Sequence, residues 1–314
     1  MTSLCVAGRD GRESSTVKES RRRVVFAVGV VLLLGFSGSS PITPAAAAAV
    51  SENPFRTGRT LVIPHGGGDG LYPENTIVAY EKSLALGGEV VDVDIALSAD
   101  GIPIAFHDST LDRTTNGIGS VAAKSYAQLA TLDAGWKFLA GGRYPFRRKG
   151  IRIPTLEAVL KRFPTTLVTL DVKVAGTDVV APECRLLTKL GRTKDVYVGL
   201  DYSDQVNEFR KVCPGVRTSA TDEERRAMRA AREAGDTTFV TKQLVSQPRF
   251  RADDGTWRIT PEYLAFSHSK GIAVLTWVVN DPNDMRKLIE LGVDGIYTSR
   301  PDVMVKLLRE MRNR

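Results

Sequence analysis

Short apolar, β-branched runs recur along this chain and alternate with longer stretches of helical spacing. The runs fall at 61–65, 90–97, 102–107, 167–173, 196–201, 216–220, 237–241, 273–279 and 295–298. The helix-like stretches fall at 75–87, 155–163, 178–190, 204–212, 222–234, 260–270, 282–291 and 301–313. Short runs that are apolar throughout are the mark of strands buried on both faces. Alternation of such strands with helices calls for a parallel sheet with crossover helices. About eight units in roughly 260 residues predict an α/β fold of the (β/α)8 TIM-barrel type, with an open doubly wound sheet as the other arrangement. The helix ends carry fitting signals. Asn75 or Thr76 can cap the first helix and Gly87-Gly88 can end it, while Asp281-Pro282 opens a later helix that Gly292 closes. Residues 109–154 break the rhythm and read as a small insertion after the second strand region, with one short helix near 125–132.

The N-terminal 49 residues stand apart. Arg21-Arg22-Arg23 precedes an apolar run from Val24 to Phe36, and small residues follow to Ala49. A positive flank, an apolar core and a small-residue end predict a secretory signal over 1–49 and an extracytoplasmic protein over 50–314. Ser20 to Val24 also fits a twin-arginine signal. A tail anchored by one short membrane helix is the alternative. The formal charge is +7, and residues 1–49, with six Lys/Arg and three Asp/Glu, account for +3 of it. The remainder is too weakly basic, and too poor in interleaved aromatics, to predict nucleic-acid binding. Removal of the signal would leave Cys184 and Cys213 as a pair, suited to a disulfide in an oxidising compartment or else two buried thiols.

Chemistry gathers at strand ends. The first run delivers His65 into HGGGDGLYPENT, residues 65–76. Alternation along a strand puts Asp92 and Asp94 on one face, and Asp171 and Lys173 on one face of another. Paired carboxylates on a buried strand need a cation, and oxygen-only donors suit a hard ion such as Ca2+ or Mg2+. A second histidine, His107, closes the run at 102–107. In a barrel these positions lie near the C-terminal mouth, where active sites are built. The glycine run matches neither common nucleotide-binding pattern.

Taken together, His65…PENT, DVD (92–94), ADG (99–101), FHDSTLDRTTNGIG (106–119), IPTLEAVL (153–160), LDVK (170–173), TWVVND (276–281) and GVDGIYTSRP (292–301) resemble the glycerophosphodiester phosphodiesterase family. The resemblance runs from about residue 60 to 305 and is poor over 185–260. It implies a metal-dependent hydrolase on a (β/α)8 barrel that cuts glycerophosphodiesters into glycerol 3-phosphate and an alcohol. By resemblance, His65 and His107 are the catalytic acid and base, in an order left open. Asp92, Asp94 and Asp171 hold the divalent cation, Lys173 contacts phosphate, Trp277 lines the alcohol pocket, and Glu74 orients a neighbour.

Four residues depart from the family pattern. Gly66 replaces an arginine, Asp92 and Asp171 replace glutamates, and Ser299 replaces an aspartate. Backbone N–H groups of Gly66, Gly67 and Gly68 are expected to take over the lost phosphate contact. Two other functions stay open: a phospholipase D-like or phosphoinositide-type lipase on the same barrel, and an inactive secreted binding protein. His268 is expected at the surface, Arg113 in the insertion's turn, and Trp136 and Trp257 in packing. Arg147-Arg148-Lys149 reads as a solvated loop or, more weakly, as a point of attraction to an anionic cell surface.

Overall fold

The computed structural model describes residues 53–312. The signal expected over 1–49 lies outside the described residues. Eight parallel strands carry the architecture: β1 Leu61–Pro64, β2 Val90–Leu97, β4 Leu167–Val172, β5 Val196–Leu200, β6 Arg217–Thr218, β7 Val245–Ser246, β8 Ala273–Thr276 and β9 Gly295–Thr298. A ninth, β3 Pro103–Ala105, pairs antiparallel with β2. Backbone pairing runs β2-β4-β5-β6 on one side and β1-β9-β8-β7 on the other. The two halves meet where the Glu89 amide donates to the Val62 carbonyl at 2.9 Å.

Crossover helices follow the strands: α1 Ile77–Leu86, α3 Leu156–Arg162, α4 Val180–Lys189, α5 Ser203–Val212, α6 Asp222–Glu233, α7 Pro261–Ser269, α8 Pro282–Leu291 and α9 Pro301–Arg312. One short helix, α2 Tyr126–Leu129, lies in the insertion and is closed by a capping box from Ser125 and Gln128. Caps set the helix starts as their side chains dictate. Thr76 accepts the Ala79 amide, and Asp281 accepts those of Asn283 and Asp284 ahead of Pro282. The chain is thus a (β/α)8 barrel, as the alternation of runs predicts.

Period-two alternation decides what enters the barrel. On β2, Val91, Val93 and Ile95 point outward into a cluster with Leu156, Val159 and Leu160 of α3. On the other face, Val90 joins Leu61, Ile63, Tyr197, Leu275 and Tyr297 in a cluster inside the barrel. Asp92 and Asp94 follow Val90 on that inner face and are both buried. The floor is apolar and the carboxylates stand above it, toward the C-terminal ends of the strands.

Two expected features are corrected. Residues 237–241 form no strand, and the seventh strand is Val245–Ser246. Val240 is 86% exposed, so its apolar character is not used for burial. His268 is only partly exposed, because its Nε2 lies 2.8 Å from Asp294 Oδ2. Cys184 and Cys213 are joined in a disulfide, with their Cα atoms 5.6 Å apart. Trp257 does pack, between Phe250 and the Lys287 ammonium 3.9 Å from its ring centre.

Candidate active site

The site is assembled from strand ends. His65 directly follows β1, and register pairs Asp94 of β2 with Asp171 of β4, and Asp171 with Gly199 of β5. Gly199 brings no side chain, so the space beside Asp171 stays open; a Cβ there would lie 3.4 Å from Asp171 Oδ1. His65, Asp92, His107, Asp171, Lys173 and Trp277 all line one cavity of about 970 Å3. A smaller pocket adjoins it, lined by Asp94, Glu74, Asp108 and Arg113 and shared by both histidines.

Each histidine is held by its own aspartate. His65 Nδ1 lies 3.2 Å from Asp69 Oδ2, and His107 Nδ1 lies 2.7 Å from Asp108 Oδ1. With Nδ1 engaged by a carboxylate, Nε2 is the nitrogen left to face a ligand. Burial works against a charge on His65, but the Asp69 hydrogen bond and the fields of Asp92 and Asp94 outweigh it and push the imidazole up to about 9. Burial likewise opposes the charge on Asp69, yet hydrogen bonds from His65 and Ser299 hold that carboxyl below its usual range.

Arg113 does more than fix a turn. Its guanidinium donates to both Glu74 oxygens, at 2.6 and 2.7 Å, and to both Asp108 oxygens, at 2.6 and 3.0 Å. The hydrogen bonds from Arg113, joined by the one to His107, keep the Asp108 carboxyl below the usual range. The neighbour that Glu74 orients is therefore Arg113, and through Arg113 and Asp108 the chain of contacts reaches His107. Asn75 has an equally specific place. Its Nδ2 donates to Asp94 at 2.7 Å, and its Oδ1 accepts the Asp94 amide and the Tyr80 hydroxyl, both at 3.0 Å. It takes a left-handed φ of 55° to do so, a conformation asparagine tolerates better than most residues. Asp69 and Asp108 went unassigned in the sequence reading, and Asn75 was read only as a possible helix cap, a place that Thr76 takes. Their signals were the spacing of Asp69 four residues after His65 and the adjacency of Asp108 to His107.

The glycines need a correction. The Gly66 amide donates to Asp92 Oδ2 at 2.9 Å, and the Gly68 amide returns to the His65 carbonyl at 2.7 Å. Gly67 packs against α1, where a Cβ would come within 2.8 Å of Ala79. The Gly66 and Gly68 N–H groups are therefore already engaged within the protein and are not available to an anion. The glycines serve close packing, and Gly66 helps to hold Asp92.

Asp92, Asp94 and Asp171 offer oxygen donors only, which fits a hard divalent ion. Asp92 is buried with hydrogen bonds from Gly66 and, at 2.8 Å, the Thr169 hydroxyl, and burial pushes its carboxyl up. A carboxylate desolvated in this way fits a cation partner. As they stand, no three acidic, histidine or cysteine side chains among the described residues meet in an ion-holding arrangement. Lys173 instead neutralises two of them, its ammonium lying 2.5 Å from Asp171 and 3.4 Å from Asp94. Three carboxylates against one ammonium leave negative charge for an ion to balance.

Trp277 stands at the mouth, 40% exposed, with Nε1 donating to the Gln247 carbonyl at 2.8 Å. The indole is thereby fixed as one wall of the cavity.

Comparison with known proteins agrees with this geometry. The profile of the glycerophosphoryl diester phosphodiesterase family matches residues 65–303. A Bacillus subtilis glycerophosphodiester phosphodiesterase is 29% identical over 293 residues, 88% of this chain and 95% of its own length. The enzyme of that name from Caldanaerobacter subterraneus is 28% identical over 257 residues, 80% of this chain and 99% of its own. Among solved structures, the glycerophosphoryl diester phosphodiesterase domain of a Mycobacterium tuberculosis protein superposes with a TM-score of 0.69 at 21% identity, covering 79% of this chain and 98% of that one. An Oleispira antarctica phosphodiesterase, solved with the product sn-glycerol-3-phosphate, superposes with a TM-score of 0.65 at 21% identity, covering 80% of this chain and 97% of that one. With its barrel, its two aspartate-held histidines and a matched span of 65–303, this chain belongs to the glycerophosphoryl diester phosphodiesterase family of phosphoric diester hydrolases.

Proposed function

We propose that this protein is a secreted, divalent-ion-dependent enzyme that hydrolyses glycerophosphodiesters to glycerol 3-phosphate and an alcohol, with His65 and His107 dividing the proton transfers. One observation carries the reading. Two imidazoles, each tied through Nδ1 to a carboxylate, face one cavity beside Asp171 and Lys173. The product bound to the Oleispira enzyme supports the glycerol 3-phosphate half.

A phosphodiester anion repels nucleophiles, so the site must first answer its charge. A divalent ion on Asp92, Asp94 and Asp171 would polarise the phosphoryl oxygens when bound. Lys173 has three N–H donors; one is given to Asp171, the ammonium also pairs with Asp94 at 3.4 Å, and a further donor is available to a phosphoryl oxygen. His65, held in its charged form by Asp69, is the acid that protonates the leaving alcohol. His107, oriented by Asp108, takes the proton of the attacking oxygen. Trp277 packs against the departing alcohol. The Cys184–Cys213 disulfide supports work in an oxidising compartment, in line with the signal expected over 1–49.

The exposed apolar side chains of the insertion, Ile118 at 76% and Leu139 at 58%, favour a second reading in which the substrate keeps its acyl chains. One panel separates the readings: glycerophosphocholine, glycerophosphoethanolamine and intact phospholipid, each with chelator and with Ca2+ or Mg2+ restored. The proposal expects glycerol 3-phosphate from the first two, lost with chelator and regained with one ion. Preference for intact phospholipid would make the protein a lipase. An ion bound without turnover of any diester would make it a binding protein.

A further inference from the structure

The insertion between His107 and α3 carries a surface that the reaction does not use. Between Asp133 and Glu157 the chain holds six basic residues, Lys137, Arg143, Arg147, Arg148, Lys149 and Arg152, and no acidic one. None of the six forms a salt bridge among the described residues. Asp133 itself is buried, and its oxygens accept the Gly135 and Arg148 amides at 2.8 and 2.6 Å. All of the six except Arg147 are exposed.

A tight hairpin stands in the middle of this stretch. Ala140 and Arg143 exchange both backbone hydrogen bonds, at 2.9 and 3.0 Å, around Gly141-Gly142. Both glycines take a left-handed φ, 56° and 72°, as a two-residue turn of this hand requires. Leu139 and Tyr144 flank the bridge on the two arms and are 58% and 43% exposed. Opposite places on adjoining arms put them on one face. The Arg147 guanidinium lies 3.7 Å from the Tyr144 ring centre and 4.5 Å from that of Trp136. The base of the hairpin is anchored, because Phe146 packs edge-on against Phe138 and against Tyr72, from the loop after His65. None of these hairpin residues lines the catalytic cavity.

A solvated basic loop accounts for the charge but not for Leu139 and Tyr144. A soluble polyanion leaves that pair in water as well. An anionic bilayer answers both features, since headgroup phosphates meet the cations while an apolar tip and an aromatic ring enter the interface. We propose that the hairpin around Gly141-Gly142 docks this protein on an anionic lipid bilayer. Leu139 and Tyr144 enter the headgroup boundary, and Lys137, Arg143, Arg148 and Lys149 meet lipid phosphates. The Tyr72 contact couples the docked hairpin to the loop that follows His65, which keeps the catalytic end of the barrel at the lipid surface. The docking is independent of which diester is cut.

The test is co-sedimentation of residues 50–314, which hold the whole described barrel, with phosphatidylcholine vesicles that lack or contain phosphatidylglycerol. Wild-type protein is expected to partition at least tenfold more strongly onto the anionic vesicles, and to come off as salt screens the attraction. Lys137→Gln/Arg143→Gln/Lys149→Gln should weaken the partition by about fivefold for each cation removed. Leu139→Ser should weaken it about tenfold through lost apolar burial. Far-UV circular dichroism and the urea midpoint check that both variants are folded. Equal sedimentation with and without phosphatidylglycerol, or a folded triple variant that binds as the wild type does, overturns the docking surface. A Leu139→Ser protein that keeps full vesicle binding, together with equally tight binding of soluble polyphosphate, overturns the bilayer and makes the surface a polyanion site. None of these readouts needs turnover, so the phosphodiesterase reading stands or falls separately.

Discussion

Asp108 Oδ1 lies 2.7 Å from His107 Nδ1, and the same carboxylate is gripped through both oxygens by Arg113. The imidazole is therefore oriented from behind by a residue that is itself held in place. Asp108→Asn keeps the shape but loses the charge that favours an imidazolium. Its kcat should fall roughly tenfold to a hundredfold with little change in KM. An unchanged kcat would mean that Asp108 does not position His107.

Asn75 ties Asp94 to α1 through hydrogen bonds at 2.7 and 3.0 Å. Asn75→Ala leaves a buried carboxylate and a buried tyrosine hydroxyl without these partners. Urea unfolding should show a loss of about 2–4 kcal/mol. A loss within experimental error would make the network dispensable.

Glu183 on α4 is wholly buried, and neither carboxylate oxygen has a hydrogen-bond partner. Burial pushes this carboxyl from 4.5 up to about 8. Between those values the folded chain binds more protons than the unfolded one, so stability falls as pH rises, by at most about 1.4 kcal/mol per pH unit. Glu183→Gln removes that titration. Chemical denaturation across this pH window should give a shallower decline for the variant, and parallel curves would refute the assignment.

The Cys184–Cys213 disulfide links α4 to the end of α5 across a sequence separation of 29. A cross-link of that span should stabilise by about 3–4 kcal/mol. Cys184→Ser/Cys213→Ser should lower the urea midpoint accordingly, and an unchanged midpoint would argue that reduced and oxidised chains are equally stable.

The barrel was legible because every strand except one wrote its burial into short apolar runs. The exception shows why. β7 is only Val245–Ser246, too short to announce itself, while the more apolar Thr238-Phe239-Val240 nearby leaves Val240 in solvent. On β2 and β4, period-two alternation carried Asp92, Asp94 and Asp171 to the inner face, and Lys173, just past the end of β4, reaches the same cavity. The second ring of partners was not legible. Asn75 looked like a helix cap, and Arg113 like a turn residue, because their work depends on contacts with Asp94 and Asp108 that lie 19 and 5 residues away. The glycine run misled in the opposite direction. Its amides suggested an anion cradle, but those of Gly66 and Gly68 face Asp92 and the His65 carbonyl.

The most direct measurement is the rate of glycerol 3-phosphate release from glycerophosphoethanolamine by wild-type and His107→Ala proteins, compared at matched folded concentration with Ca2+ or Mg2+ supplied. Loss of a positioned base predicts a drop of about a hundredfold or more. A variant that stays within about threefold of wild type, well short of what such a base contributes, would contradict the two-histidine account.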